Sequence, residues 1–139
     1  MNSLHHWVLD TNVVVSGLLS PYAPPGRLID ALLLRRLVIL LDDRVIDEYR
    51  SVLSRPKFRI DGARMDAFLA ILDFQPHLSA VSVPGVMASD PDDTKFLELA
   101  LASIDRVLVT GNLKHYPRSS RGGVAVLSPA EAYEKLSQA

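Results

Sequence analysis

Short apolar runs alternate with longer amphipathic segments along this chain. The short runs are apolar at nearly every position, which is typical of strands buried on both faces of a sheet, and they span residues 7–9, 37–41, 106–110 and 124–127. Apolar positions three and four residues apart predict the helices between them: one directly after Asp10, others over 27–36, 45–55, 64–74 and 94–103, and a last one from Ser128. This alternation predicts an α/β fold, a three-layer α/β/α sandwich with a central, mainly parallel sheet. The local pattern does not specify the order of the strands.

Turn and capping residues separate these elements. Residues 21–26 include three prolines and a glycine, and we predict that they form a loop. Ser128, Pro129 and Glu131 fit the capping box of a helix start. The run 78–83 is flanked by polar residues and is a candidate for a short further strand.

Composition narrows the class of protein. The 139 residues, of which 48% are hydrophobic and 22% charged, are enough for one compact domain spanning 1–139. There is no apolar run near the roughly 18 residues of a membrane span, and the first residues lack the pattern of a signal peptide. The absence of cysteine excludes disulfides and thiolate metal sites and fits a cytoplasmic location. With a net charge of −1, any nucleic-acid partner must be bound by a local basic patch.

Acidic and amide side chains occur where they can meet in such a fold. Asp10 and Asn112 each follow a predicted strand, at what should be the same edge of a parallel sheet. Asp90, Asp92 and Asp93 lie at the start of the helix that leads into the third strand, and Glu48 is on the helix after the second. Oxygen ligands of this kind suit Mg²⁺ or Mn²⁺, which can activate water against a phosphodiester.

Each of these positions also has a structural interpretation. Asp10 or Asn12 can cap the helix that follows, and the segment Asp90-Pro91-Asp92-Asp93 has the composition of a helix start. Glu48 can be a solvated surface residue, and Asn112 a turn residue after Gly111. Spacing alone leaves both interpretations open.

Four blocks of sequence in order resemble the PIN-domain family, in particular the VapC-like ribonucleases that are toxins of bacterial toxin–antitoxin pairs. The blocks are Val8-Leu9-Asp10-Thr11-Asn12-Val13, Val45-Ile46-Asp47-Glu48-Tyr49 with Leu53-Ser54-Arg55-Pro56-Lys57-Phe58, Asp90-Pro91-Asp92-Asp93-Thr94-Lys95-Phe96-Leu97-Glu98-Leu99-Ala100, and Leu108-Val109-Thr110-Gly111-Asn112.

The resemblance implies a PIN-like α/β/α sandwich and an endoribonuclease that depends on Mg²⁺ or Mn²⁺. It places Asp10, Glu48 and Asp93 as the first three family acids. Asp92 is a further metal-ligand candidate and, with Asp90, a second choice for the third acid. Thr110 matches the Thr or Ser beside the fourth acidic position, at which Asn112 replaces the commoner Asp. The resemblance also implies RNA as substrate, a homodimer and a cognate antitoxin as protein partner.

Local cations are candidates for binding the RNA backbone. Lys57 lies in a basic segment around Phe58, and Lys114 and Arg118 follow Asn112. Tyr116 between them is a candidate for stacking on a base. Both segments can equally be solvated loops.

Other functions fit the sequence less well. A phosphatase of the haloacid-dehalogenase type needs an Asp two residues after Asp10, where Asn12 stands, and a receiver-like phosphoacceptor needs paired acids after the first strand. His5, His6, His77 and His115 have no metal-ligand spacing, although a histidine-based, metal-free ribonuclease is conceivable. The main alternative keeps the fold: an RNA-binding or protein-interaction module whose catalysis is weakened or lost through Asn112.

Overall fold

The computed structural model of the protein describes residues 4–138. Ala139 and the first three residues, which are part of the segment judged for a signal peptide, lie outside this range. The elements, in chain order, are β1 His5–Leu9, α1 Thr11–Leu19, α2 Pro24–Leu33, β2 Leu37–Ile39, α3 Asp43–Leu53, α4 Gly62–Leu72, α5 Thr94–Leu101, β3 Val107–Val109, β4 Ala125–Leu127 and α6 Pro129–Ser137.

The strands form one parallel sheet in the order β2-β1-β3-β4. In the registers of β1, His6 pairs with Val38 on one side and Val8 with Leu108 on the other. Because all strands run in the same direction, their carboxyl ends meet at one edge, which we call the carboxyl edge. Asp10 and Thr110 are the first residues beyond β1 and β3 at this edge.

Helices cover the sheet on both faces, so the predicted three-layer α/β/α sandwich is confirmed. Helix α5 packs against β1 and β3 through a side that buries Phe96, Leu97 and Ala100, and it also contacts α3. Helix α2 packs against α1 and α6. The centre of β1 is fully buried, which explains its continuous apolar sequence.

Two sequence predictions are wrong in detail. The loop predicted over 21–26 is shorter, because α2 already begins at Pro24; proline is compatible with a first helical turn, whose N–H groups have no partner within the helix. The strand predicted over 78–83 is absent. Only His77 forms a bridge, to Leu41, and Val81 is mostly exposed, so the run has no neighbouring strand on which to pack.

Capping side chains set several helix starts. Asp42 accepts a hydrogen bond from the Val45 N–H at 2.9 Å, which starts α3. Ser128 and Glu131 form the predicted capping box of α6. Among the described residues, each helix is too short or too polar to cross a membrane.

Candidate active site

Asp10 lies buried at the carboxyl edge, between the end of β1 and the start of α1. Its Oδ2 accepts hydrogen bonds from the Thr110 hydroxyl at 2.9 Å and from the Tyr116 hydroxyl at 2.8 Å. The side chain does not cap α1, so the capping interpretation of Asp10 is wrong. A carboxylate held by two hydroxyls through one oxygen has a fixed orientation.

The environment of Asp10 opposes its charge. Burial is the main cause that raises the pKa of Asp10, and the negative charge of Glu48 raises it further, while the hydroxyls of Tyr116 and Thr110 act in the opposite direction. Burial and the contact with Asp10 raise the pKa of Tyr116, so this phenol keeps its proton and remains a donor. A buried carboxylate that needs donors of this kind is typical of a functional site.

A set of hydrogen bonds connects the turn after β3 to Asp10. The backbone N–H of Asn112 donates to the Thr110 hydroxyl at 3.1 Å, which in turn donates to Asp10. Asn12 does not cap α1 with its side chain either, since its Oδ1 accepts from the backbone N–H of Gly111 at 3.0 Å. Asn112 itself is exposed. The Thr-Gly-Asn turn therefore positions Asp10 through a hydroxyl and a backbone N–H.

Glu48 is brought to the same place by α3. Its Oε2 accepts a short hydrogen bond from the Thr11 hydroxyl, and its Oε1 lies 2.7 Å from the Lys95 Nζ. The Lys95 ammonium also donates to the backbone carbonyl of Asp92. Glu48 is half-buried, and each of its carboxylate oxygens has a hydrogen-bond or ion-pair partner. These contacts disagree with the interpretation that Glu48 is a solvated surface residue.

The three aspartates before α5 have different environments. Asp90 caps the short 3-10 turn Pro91–Asp93, and its side chain accepts from the Asp92 N–H at 3.0 Å. Asp92 is exposed, whereas Asp93 is half-buried. Desolvation is the main cause that raises the pKa of Asp93 to about 6, followed by the negative charges of Asp10, Asp90 and Glu48. Asp93 is therefore within electrostatic reach of both Asp10 and Glu48.

The carboxylates of Asp10, Glu48 and Asp93 influence one another electrostatically, but they do not form a preformed metal site. Within residues 4–138, no three Asp, Glu or His side chains already stand around one point so as to hold a metal ion. The type of ligand nevertheless fits Mg²⁺ or Mn²⁺, since these side chains offer hard carboxylate oxygens. A cation is also already present, because the Lys95 ammonium pairs with Glu48. Asp10, Glu48 and Asp93, which we call the acidic pocket, thus offer oxygen donors of the kind that a divalent cation takes.

The candidate RNA-binding cations lie on the surface. Lys114 and Arg118 are exposed in two short 3-10 turns that flank Tyr116. Lys57 is exposed, with its Nζ 5.0 Å from the centroid of the Phe58 ring. The expectation that Tyr116 stacks on a base is wrong, because its side chain is fully buried and its hydroxyl is used by Asp10. Lys114 and Arg118 each lie two residues along the chain from Tyr116, whose hydroxyl binds Asp10.

Sequence reasoning missed two residues of this site, Thr11 and Lys95, and assigned the wrong role to Tyr116. Thr11 stands beside Asp10 in sequence, and its hydroxyl was a detectable signal. Lys95 lies in the first turn of α5. The prediction of this helix depended on its apolar positions, which carry no information about the contacts of a lysine. Tyr116 follows a short 3-10 turn, and a turn of this kind has no long-range periodicity that predicts where a side chain points.

A family model described as PIN domain matches residues 6–114, well over half of the chain. The chain belongs to the PIN domain family. PIN domains are generally nucleases, and they typically use divalent metal ions. The PIN domain of this chain is also similar to the uncharacterized protein MJ1680 of Methanocaldococcus jannaschii, at 28% identity over 108 residues that cover 76% of this chain and 69% of the relative.

The Tyr116 hydroxyl is one of the two groups that hold Asp10 in place. We expect Tyr116→Phe to weaken Mn²⁺ binding or RNA cleavage by about 10- to 100-fold, as is usual when an outer-shell partner of a metal ligand is removed. The phenyl ring still fills the buried space, so the fold should be retained. Calorimetric Mn²⁺ titration of the variant measures the effect, and Tyr22→Phe, at a tyrosine that is 88% exposed, is the matched control. Equal affinities of Tyr116→Phe and wild type would contradict the role of this hydroxyl.

Proposed function

We propose that this PIN domain is an Mg²⁺- or Mn²⁺-dependent endoribonuclease that hydrolyses RNA phosphodiester bonds. The observation that carries the proposal is the buried Asp10 at the carboxyl edge, fixed by two hydroxyl donors, with Glu48 and Asp93 within electrostatic reach of it. Ligands bind at this edge in open α/β sheets. A site of this charge repels an RNA phosphate unless a cation is present, which is why the metal belongs to the proposal.

In this mechanism Asp10, Glu48 and Asp93 would hold the cation, and Asp92, which is exposed beside Asp93, is the second choice for the third acid. The bound metal supplies a Lewis acid for the phosphate and lowers the pKa of water. Thr110 and Tyr116 keep Asp10 oriented, and the backbone of Asn112 keeps Thr110 in place. Lys114, Arg118 and Lys57 bind the RNA backbone. Water would attack the phosphorus while the bond to the 3′ oxygen breaks and that oxygen takes up a proton, so the products should carry a 5′-phosphate and a 3′-hydroxyl.

Removal of the metal tests the proposal directly. We expect purified protein to cleave labelled RNA with Mg²⁺ or Mn²⁺, to lose activity in EDTA and to regain it when Mn²⁺ is added in excess. The loss follows because repulsion among three carboxylates and a phosphate is then uncompensated. Cleavage that persists in EDTA would instead favour a histidine-based, metal-free ribonuclease.

A second candidate function keeps the fold without catalysis, as an RNA-binding or protein-interaction module. Two observations favour it: Asn112 carries no charge, and Lys95 already neutralises part of the pocket. The substitution Asn112→Asp separates the two functions. Cleavage by the native chain supports the enzyme, whereas cleavage by Asn112→Asp alone identifies the native chain as the disabled form.

We further propose that the chain is the toxin of a toxin–antitoxin pair, acts in the cytoplasm and forms a homodimer. The basis is its likeness to VapC-like PIN domains. Growth arrest on expression of the native chain, absent with Asp10→Asn, supports the toxin role. Sedimentation of the purified chain as a monomer at micromolar concentration would contradict the dimer.

A prediction concerns the basic patch of Lys114 and Arg118. We expect the charge-reversed pair Lys114→Glu and Arg118→Glu to bind single-stranded RNA more weakly and with a salt slope reduced by about 1 for each lost phosphate contact. Fluorescence anisotropy over a range of salt concentrations measures both quantities. Arg36→Glu is the control, because Arg36 is exposed just before β2, at the opposite edge of the sheet. An unchanged slope in the double variant would show that the patch does not contact RNA.

A further inference from the structure

The ammonium group of Lys95 contacts Glu48, one of the residues of the acidic pocket. Its Nζ lies 2.7 Å from Glu48 Oε1, in a pair whose side chains are 13% and 27% exposed. It also donates to the carbonyl of Asp92 and lies 5.1 Å from the centroid of the Phe96 ring. An ammonium held by a carboxylate, a carbonyl and an aromatic face is an ordered part of the site and not a solvated surface charge.

Each carboxylate oxygen of Glu48 already has a partner. Lys95 occupies Oε1, and the Thr11 hydroxyl occupies Oε2. A divalent cation that binds Glu48 would be repelled by the ammonium already held at Oε1, and this repulsion favours the displacement of Lys95. Lys95 also lines a cavity of about 540 Å³ together with Arg44 and Asp92.

We infer that Lys95 is the placeholder for the metal: its ammonium neutralises Glu48 in the metal-free protein and is displaced when the divalent cation binds. This inference rests on the proposed function. Lys95 is then a positioning residue with two effects, since it keeps the acidic pocket stable without metal and it lowers the affinity for metal. A purely structural lysine would have only the first effect.

The experiment measures Mn²⁺ affinity in the absence of RNA, from the signal of free Mn²⁺ in electron paramagnetic resonance. We expect Lys95→Gln to bind Mn²⁺ about tenfold or more tightly than wild type, because the positive charge that pairs with Glu48 is removed. Without metal the variant should unfold at a lower temperature, because Glu48 loses this partner. Lys95→Arg should retain wild-type affinity. The matched control is Lys135→Gln, since Lys135 is exposed in the last turn of α6.

The outcomes separate this inference from the proposed function. If wild type binds Mn²⁺ and Lys95→Gln binds it equally or more weakly, Lys95 is not a placeholder and the nuclease proposal stands. If none of the chains binds Mn²⁺, the proposed metal site fails and the inference with it. Should Lys95→Gln not fold, the ¹⁵N signal of the Lys95 ammonium in wild type gives the same test: it should change when Mg²⁺ binds, and an unchanged signal would overturn the inference.

Discussion

Asp10→Asn is expected to lower the rate of RNA cleavage by about 10³-fold, which corresponds to about 4 kcal/mol of transition-state stabilisation. The Thr110 and Tyr116 hydroxyls both donate to Oδ2 of the native residue. They will therefore bind the amide oxygen of the asparagine and direct its NH₂ group to the side where the carboxylate has its second oxygen. An amide NH₂ cannot bind a cation. The loss should thus affect metal binding itself.

Single-turnover cleavage of a labelled RNA and calorimetric Mn²⁺ titration measure the two effects of Asp10→Asn. Thermal unfolding without metal is the control for folding, and we expect no large loss of stability, because burial already opposes the charge of Asp10. Wild-type cleavage by the variant would remove Asp10 from the mechanism.

The second large effect is expected for Asp93→Asn, with about a 10²-fold loss of cleavage, or roughly 2.7 kcal/mol. Asp92→Asn is its matched neighbour and should stay within about threefold of wild type, a difference under 1 kcal/mol. The reason is that Asp93 is half-buried and interacts with Asp10 and Glu48, whereas Asp92 is exposed and contacts Lys95 through its backbone carbonyl. Parallel kinetics of the two variants measures the difference. The reverse order of effects would assign the third acid to Asp92.

The raised pKa of Asp93 gives this pair of variants a second readout. Its pKa is about 6 in the folded protein and 3.8 as an ordinary aspartate. Between these values the folded state retains a proton that the unfolded state has lost, so the free energy of unfolding of the metal-free protein should fall as pH rises from about 4 to 6. Asp93→Asn should reduce this fall, and Asp92→Asn should not. Urea unfolding of wild type and both variants at several pH values measures the fall in the free energy of unfolding.

The sequence predicted the parts of the site that follow from strand ends. Asp10 and Thr110 come directly after buried apolar runs, and parallel strands bring such positions to one edge whatever their order in the sheet. The strand order itself was not predictable, because the pairing of β1 with β3 joins segments that are about a hundred residues apart. Helix starts were predictable where a cap is local, as at Ser128.

The contacts that were not predictable depend on where single side chains point. Tyr116 looked like a base-stacking residue because it stands between Lys114 and Arg118, but a turn after Asn112 directs it inward to Asp10. The pair of Lys95 and Glu48 joins the first turn of α5 to the middle of α3, and neither helix has a pattern that marks the contact. Both cases involve polar groups satisfied by a distant partner, which local periodicity does not encode.

We propose that separate segments of the chain bring their carboxylates to one divalent cation at the carboxyl edge. Anomalous diffraction at the manganese edge, from crystals grown with saturating Mn²⁺, tests it most directly. We predict a peak within coordination distance of carboxylate oxygens of Asp10, Glu48 and Asp93, with Lys95 withdrawn from Glu48. A peak elsewhere on the protein, or no peak at saturating Mn²⁺, would contradict the account.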